Sequence, residues 1–95
     1  WNFGPSYKQV KSVSSIVNLI IRKSEKNIKV IVLRNKNYES YCIQLNSSKS
    51  KKQLNWKSKY NFEDSVNLTY DWYSRYLIDK SSIISEQIDS FYKKK

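Results

Sequence analysis

The sequence predicts a small α/β (α+β) fold with a two-stranded sheet and about four helices. Three patterns lead to this prediction. Apolar residues recur at helical spacing over residues 13–21, an unbroken aliphatic run follows at 30–33, and apolar residues alternate with others over 41–45. The first pattern is typical of an amphipathic helix, and the other two are typical of strands. A chain of 95 residues has room for one small domain with a thin core.

The first helix is expected over residues 13–23. Val13, Ile16 and Ile20 fall on one of its faces, together with their neighbours Val17 and Ile21. Ser12 precedes the first turn, where a hydroxyl oxygen can accept a hydrogen bond from a free helix N–H. The helix therefore has both an apolar face and an N-cap.

Two strands are expected next. The first covers residues 29–34, and its four consecutive aliphatic side chains predict burial on both faces. The second is centred on Tyr41, Ile43 and Leu45, and we expect Cys42 within it to be a small buried hydrophobic residue. Together these segments would form the sheet.

Three further helices complete the prediction. A short basic helix is expected over residues 47–54, with Asn46 as its N-cap. The longest helix follows Asn61, which forms a variant capping box with Asp64. Its apolar face would contain Phe62, Val66, Thr69, Tyr73, Tyr76 and Leu77.

The last short helix is expected to be capped by Ser85 and to carry Ile88 and Phe91, before the terminal lysines fray into solvent. We expect the first and the longest helix to supply the core, which would place Ile20 and Tyr73 inside it.

Composition excludes several classes of function. The chain has 18 Lys and Arg, 8 Asp and Glu, one Gly, one Cys and no His. Without His it cannot form a Ser-His-Asp or Cys-His centre or a Cys/His zinc site, and a single Cys gives no internal disulfide. With a single glycine, neither a P-loop nor a dinucleotide-binding turn is present. We therefore expect no catalytic residue, no metal and no cofactor in this chain alone.

Positive charge is concentrated in the first part of the chain. Residues 1–60 hold 13 basic and 2 acidic side chains, a net charge of +11, whereas residues 61–95 hold 5 and 6, a net charge of −1. Acidic partners must therefore be considered. The apolar runs are too short to span a membrane and no signal-peptide pattern is present, so a soluble, cytoplasmic protein without a membrane partner is expected.

Several patterns have a simple structural explanation beside a functional one. Tyr7 with Lys11, and Tyr76 with Lys80, have the Tyr-x-x-x-Lys spacing of short-chain dehydrogenases, which so many tyrosines and lysines produce by chance. The aromatic residues of the longest helix fit a core better than a surface for stacking bases. The lysines between 49 and 59 fit a solvated face better than a groove for phosphates.

Glu39 is one of only two acids in the first sixty residues and lies in a polar loop before a predicted strand. A carboxylate there can accept hydrogen bonds from two neighbouring sugar hydroxyls. The alternative is a lone surface glutamate among lysines. The residue pattern by itself slightly favours that alternative.

Five segments, in this order and spacing, resemble the C-terminal part of CDP-glucose 4,6-dehydratases, which are NAD-dependent extended short-chain dehydrogenases. The similarity covers residues 1 to about 92. The segments are Trp1-Asn2-Phe3-Gly4-Pro5, Glu39-Ser40-x-x-Ile43-x-Leu45-Asn46-x-Ser48-Lys49, Leu54-x-Trp56, Trp72-Tyr73 and Glu86-Gln87-Ile88. The combination with Trp-Asn-Phe-Gly-Pro points to the CDP-glucose enzymes.

The resemblance implies that residues 1–95 are a C-terminal substrate-binding fragment and that a Rossmann domain with NAD and the catalytic residues lies upstream. An opening without Met agrees with such a fragment. In the related GDP-mannose dehydratases, a Glu at the position of Glu39 contacts the nucleotide ribose. The resemblance thus implies substrate binding by Glu39 with its neighbours Asn37 and Tyr38.

This sequence departs from the family pattern at five positions. Tyr38 replaces His, Asn46 replaces Asp, Ser50 replaces Ala, Asn55 replaces Gly, and Ser58 replaces Pro. Asn46 keeps the ability of Asp to cap a helix.

The expected partners are a nucleotide-sugar such as CDP-glucose and the parent's Rossmann domain, and whether the parent is a homo-oligomer stays open. The alternative function is a small basic module that binds RNA or another polyanion, for which the segment of charge +11 is the main support.

Overall fold

The computed structural model describes residues 1–34 and 42–94. In these residues the chain forms a short 3₁₀ turn at Tyr7–Gln9 and four α-helices. The helices are α1 (Val13–Ser24), α2 (Ser48–Gln53), α3 (Phe62–Asp79) and α4 (Ile84–Lys93).

The predicted sheet, and with it the α/β fold class, is wrong: the part of the chain that the structure describes is helical and contains no strand. The aliphatic run at 30–33 is exposed rather than buried, with Val32 86% exposed. In the second segment Ile43 is 84% exposed and Cys42 is exposed, while Tyr41 lies outside the described residues. A strand requires a neighbour that accepts its backbone hydrogen bonds, and within the described ranges neither segment has one.

The two long helices begin where their capping residues predict. The Ser12 side chain accepts a hydrogen bond from the Ser15 backbone N–H over 3.2 Å at the start of α1. The Asn61 side chain accepts one from the Asp64 backbone N–H over 2.8 Å at the start of α3. Each cap satisfies one of the N–H groups that have no partner within a helix.

The two short helices begin differently from the prediction. Ser47, rather than Asn46, is the N-cap of α2, although the Asn46 side chain still accepts a hydrogen bond from the Ser48 N–H over 3.0 Å. Helix α4 has Ile83 as its N-cap, without a side-chain hydrogen bond, so Ser85 lies inside the helix. Ile83 is buried at this helix start. Local capping chemistry alone does not predict that the helix begins there.

The core is thin and lies along the contact of α1 with α3. Leu19 and Ile83 are the buried apolar residues of the described chain, whereas Tyr73, expected in the core, is 58% exposed. At the edge of the helix pair, the Lys23 ammonium lies 3.1 Å from an Asp71 carboxylate oxygen. The Cα radius of gyration is 16.2 Å, compared with about 12 Å for a compact domain of this length.

Polar contacts join helix α4 and its C-cap to α3. The Gln87 side-chain amide donates a hydrogen bond to the Leu68 carbonyl over 2.7 Å. The Lys94 ammonium lies 2.8 Å from an Asp64 carboxylate oxygen, and this hydrogen bond is the main reason that the pKa of Asp64 is lowered. Lys94 is therefore held against α3 instead of fraying as predicted.

None of the helices in the described ranges is long and apolar enough to cross a membrane.

We expect Leu19→Ala to lower the free energy of unfolding by about 2–5 kcal/mol, because it removes a buried side chain from the α1–α3 contact. Leu77→Ala is the matched control, since Leu77 is 69% exposed and its truncation should cost less than about 0.5 kcal/mol. Urea unfolding of both variants measures the difference. Equal losses in the two variants would show that α1 does not pack on α3 in this way.

Candidate functional site

The N-terminal segment lies on α2 and is held there by two serine side chains. The Ser50 hydroxyl oxygen lies 2.6 Å from the Asn2 carbonyl oxygen and 2.9 Å from the Ser47 carbonyl oxygen, and both can accept its single proton. The Ser47 hydroxyl donates to the Gly4 carbonyl over 3.3 Å. Ser50 has no exposed surface. These contacts join the first segment of the pattern that carried the family resemblance to α2 and its N-cap, which overlap the second segment.

Aromatic side chains close the same contact. The rings of Phe3 and Trp56 meet edge to face with their centroids 5.3 Å apart. The Lys49 ammonium lies 4.8 Å from the centroid of the Trp1 ring, at a distance where a cation is attracted to the ring face. The segments 1–5, 45–49 and 54–56 thus form one cluster, which we call the N-terminal/α2 cluster.

Asn55 lies within this cluster and has an unusual backbone conformation. Its φ is 51°, which lies in the left-handed region. Glycine has the least strain in this region, and asparagine is among the residues that tolerate it best. The chain therefore requires one of a few residue types at the position just after α2.

A polar pocket of about 350 Å³ opens beside the cluster. It is lined by Pro5, Tyr7, residues 44–48 and Lys51. These residues offer a phenol, two amides, two hydroxyls and one ammonium group, which can form hydrogen bonds with sugar hydroxyls or phosphate oxygens. The pocket is open to solvent.

The residues predicted to bind substrate, Asn37, Tyr38 and Glu39, lie outside the residues that the structure describes. Gln44, a few residues further along the chain, is the first residue after this segment that lines the pocket. The position of Glu39 relative to the pocket stays a prediction from the resemblance.

The tyrosines of the two Tyr-x-x-x-Lys spacings lie in different surroundings. The Lys80 ammonium lies 5.3 Å from the centroid of the Tyr76 ring, so this lysine packs on the ring face. Tyr7 is 78% exposed and lines the polar pocket instead.

The aromatic residues of α3 are less buried than predicted. Tyr73 and Tyr76 are exposed, and the Tyr76 ring stacks on that of Trp72 with centroids 5.2 Å apart. The expectation of a core role is therefore wrong for these two tyrosines.

Sequence reasoning missed two features of the site. Lys51 stood out only as one of several lysines, although it is the lysine that lines the polar pocket. The sequence singled out Tyr7 only as part of a Tyr-x-x-x-Lys spacing, which arises by chance. No signal in the sequence marks either residue, because the pocket forms only when residues 5–7 fold back on 44–51.

The acidic and cysteine residues do not gather into a metal site. Within the described ranges, no group of three or more Asp, Glu, Cys or His side chains lies close enough to hold a metal ion.

Comparisons of the chain with protein families, with curated proteins and with solved structures found no match.

Position 50 has room only for a small side chain, so we expect Ser50→Leu to lower the free energy of unfolding by about 1–3 kcal/mol through overpacking. Ser50→Ala should cost only about 1 kcal/mol, because it removes one hydrogen bond but fits the space. Ser48→Leu on the same helix is the control, since Ser48 is exposed. Equal stability of the two leucine variants in urea unfolding would argue against the packing of residues 1–5 on α2.

Proposed function

We propose that the chain is the nucleotide-sugar-binding part of an enzyme similar to CDP-glucose 4,6-dehydratase. The parent would convert CDP-glucose into CDP-4-keto-6-deoxyglucose for the synthesis of surface polysaccharides. The main support is the N-terminal/α2 cluster, in which the Ser50 and Ser47 hydroxyls join the Trp-Asn-Phe-Gly-Pro segment to the segment that follows Glu39. Described residues from three of the five segments that carry the resemblance thus lie close together.

Three departures from the family pattern are compatible with the structure. Ser50 stands in place of Ala at a position without exposed surface, where both are small enough. Asn55 stands in place of Gly at a φ of 51°, which suits both residues. Asn46 stands in place of Asp and accepts a hydrogen bond from the Ser48 N–H, as a carboxylate would. The local requirements therefore fit the residue types of the family.

The polar pocket supports binding of a phosphorylated sugar. Lys51 can pair with a phosphate oxygen, while the amides of Gln44 and Asn46 can bind hydroxyl groups. Glu39 would accept hydrogen bonds from the two ribose hydroxyls, as the resemblance implies. This chain would then hold the substrate in position, which is one of the main contributions to catalysis.

NAD does not fit the residues of this chain, because a single glycine cannot form a dinucleotide-binding turn. We assign NAD and the catalytic groups to the Rossmann domain of the proposed parent. That cofactor takes up and returns the hydride in such a reaction, and the chain by itself would not be an enzyme.

The basic RNA-binding module receives less support from the structure. Lys49 lies over the Trp1 ring, and Lys59 lies 4.5 Å from the centroid of the Phe91 ring while donating a hydrogen bond to the Phe91 carbonyl. These lysines make contacts within the chain rather than lining a common groove. A steep loss of RNA affinity with added salt, without any affinity for CDP-glucose, would favour the module instead.

We expect Glu39→Gln to weaken CDP-glucose binding about tenfold or more in the full-length parent, equivalent to about 1.4 kcal/mol. The reason is that the ribose hydroxyls lose the Glu39 carboxylate as a hydrogen-bond acceptor. Titration calorimetry at one ionic strength measures this effect. Glu25→Gln is the matched control, since it removes the other acid of the first sixty residues.

If Glu39 is only a surface charge, both variants should bind the negatively charged ligand equally or slightly more tightly than the wild type. That result would remove Glu39 from the site.

A further inference from the structure

Two lysines share a small pocket next to the polar pocket. This second pocket, which we call the lysine pocket, has a volume of about 280 Å³. It is lined by Lys51 and Lys57 together with Gly4, Ser6, Gln9, Trp56 and Ser58. None of these lining residues is acidic. Because Lys51 also lines the polar pocket, the two pockets meet at its side chain.

The N-terminal/α2 cluster fixes the walls of the lysine pocket. The Gly4 carbonyl accepts the hydrogen bond from the Ser47 hydroxyl over 3.3 Å, which holds it at the start of α2. The Trp56 ring packs edge to face on the phenyl ring of the N-terminal segment. Lys51 lies in the last turn of α2, and Lys57 comes directly after Trp56. Both lysines are therefore carried by backbone that contacts the same N-terminal segment.

The polar groups of the lysine pocket suit an anion that accepts hydrogen bonds. Each ammonium group has three donors and no acceptor, and the Gln9 side-chain amide can add further donors. The Ser58 hydroxyl donates to the Tyr60 carbonyl over 2.9 Å, so its proton is used within the chain. Two positive charges in a small space repel each other, and a multiply charged anion between them relieves this repulsion. Phosphate oxygens meet both requirements.

The two lysines of the pocket differ from the other lysines of the same stretch. The Lys49 ammonium lies over the Trp1 ring, and the Lys59 ammonium donates a hydrogen bond to the Phe91 carbonyl over 3.1 Å. Lys52 is exposed on α2 and does not line the lysine pocket. The positive charge of this stretch is therefore not spread evenly, because two of its ammonium groups belong to one pocket.

We propose that Lys51 and Lys57 bind the diphosphate group of the ligand whose sugar lies in the polar pocket. The phosphate next to the sugar contacts Lys51, which belongs to both pockets, and the other phosphate contacts Lys57. Neither lysine belongs to the segments that carried the family resemblance. The inference rests on the proposed function for the identity of the ligand, whereas the site itself can bind inorganic pyrophosphate.

Titration calorimetry of the chain with inorganic pyrophosphate at one ionic strength tests this site. We expect Lys51→Gln and Lys57→Gln each to weaken binding about tenfold, because each removes one of the two charged contacts to the anion. Lys52→Gln is the matched control, since it removes the same charge from α2 outside the pocket. It should change the affinity less than about twofold, because solvent and salt screen a charge that does not touch the ligand.

Inorganic orthophosphate distinguishes a site for two phosphates from a site for one. The wild type should bind pyrophosphate about tenfold more tightly than orthophosphate, because only the larger anion reaches both ammonium groups. This preference should decrease in Lys51→Gln and Lys57→Gln and persist in Lys52→Gln. The same preference in all three variants would overturn the proposal.

Titration with CDP-glucose separates failure of this inference from failure of the proposed function. Binding of CDP-glucose that Lys57→Gln leaves unchanged would overturn the diphosphate site and leave the proposed function intact. Pyrophosphate binding that depends on both lysines, without affinity for CDP-glucose, would support the site and contradict the proposed identity of the ligand. Equal losses in all three glutamine variants, for pyrophosphate or for a single-stranded RNA, would overturn the site and indicate a general attraction of anions to the basic surface.

Discussion

The described part of the chain buries few of its apolar side chains, and this constraint governs the rest of its structure. Leu19 and Ile83 are the buried apolar residues among those described, while aliphatic residues such as Val32 and Ile78 are more than four-fifths exposed. Burial of apolar surface is the main favourable contribution to folding. Polar contacts such as the hydrogen bond between Gln87 and Leu68 also join the described helices.

The serine contacts with the N-terminal segment show how a small structure can still build a specific site. Because Ser50 is fully buried under Asn2, the position of residues 1–5 relative to α2 is closely restricted. This arrangement places Pro5 and Tyr7 opposite residues 44–48 and so creates the polar pocket. The pocket thus follows from the docking of two segments about forty residues apart in the sequence.

The parts of the fold that depend on neighbouring residues were predictable from the sequence, and the parts that depend on distant ones were not. Ser12 and Asn61 cap α1 and α3 as expected because a capping side chain acts within one helical turn. The aliphatic run at 30–33 indicates a strand, but a strand also needs a partner that no local pattern reveals. Lys51 could not be distinguished from its neighbouring lysines for the same reason. The contact of residues 1–5 with α2 was not predicted by any pattern in the sequence, because it joins residues about forty positions apart.

Amide hydrogen exchange of the full-length parent with and without CDP-glucose tests the central claim most directly, since it locates the ligand on the chain. The proposal predicts slower exchange at residues 4–7 and 42–51 when the ligand is present, with unchanged exchange in α3 and α4. No change at residues 4–7 and 42–51, or protection confined to α3 and α4, would contradict a nucleotide-sugar site beside the N-terminal/α2 cluster.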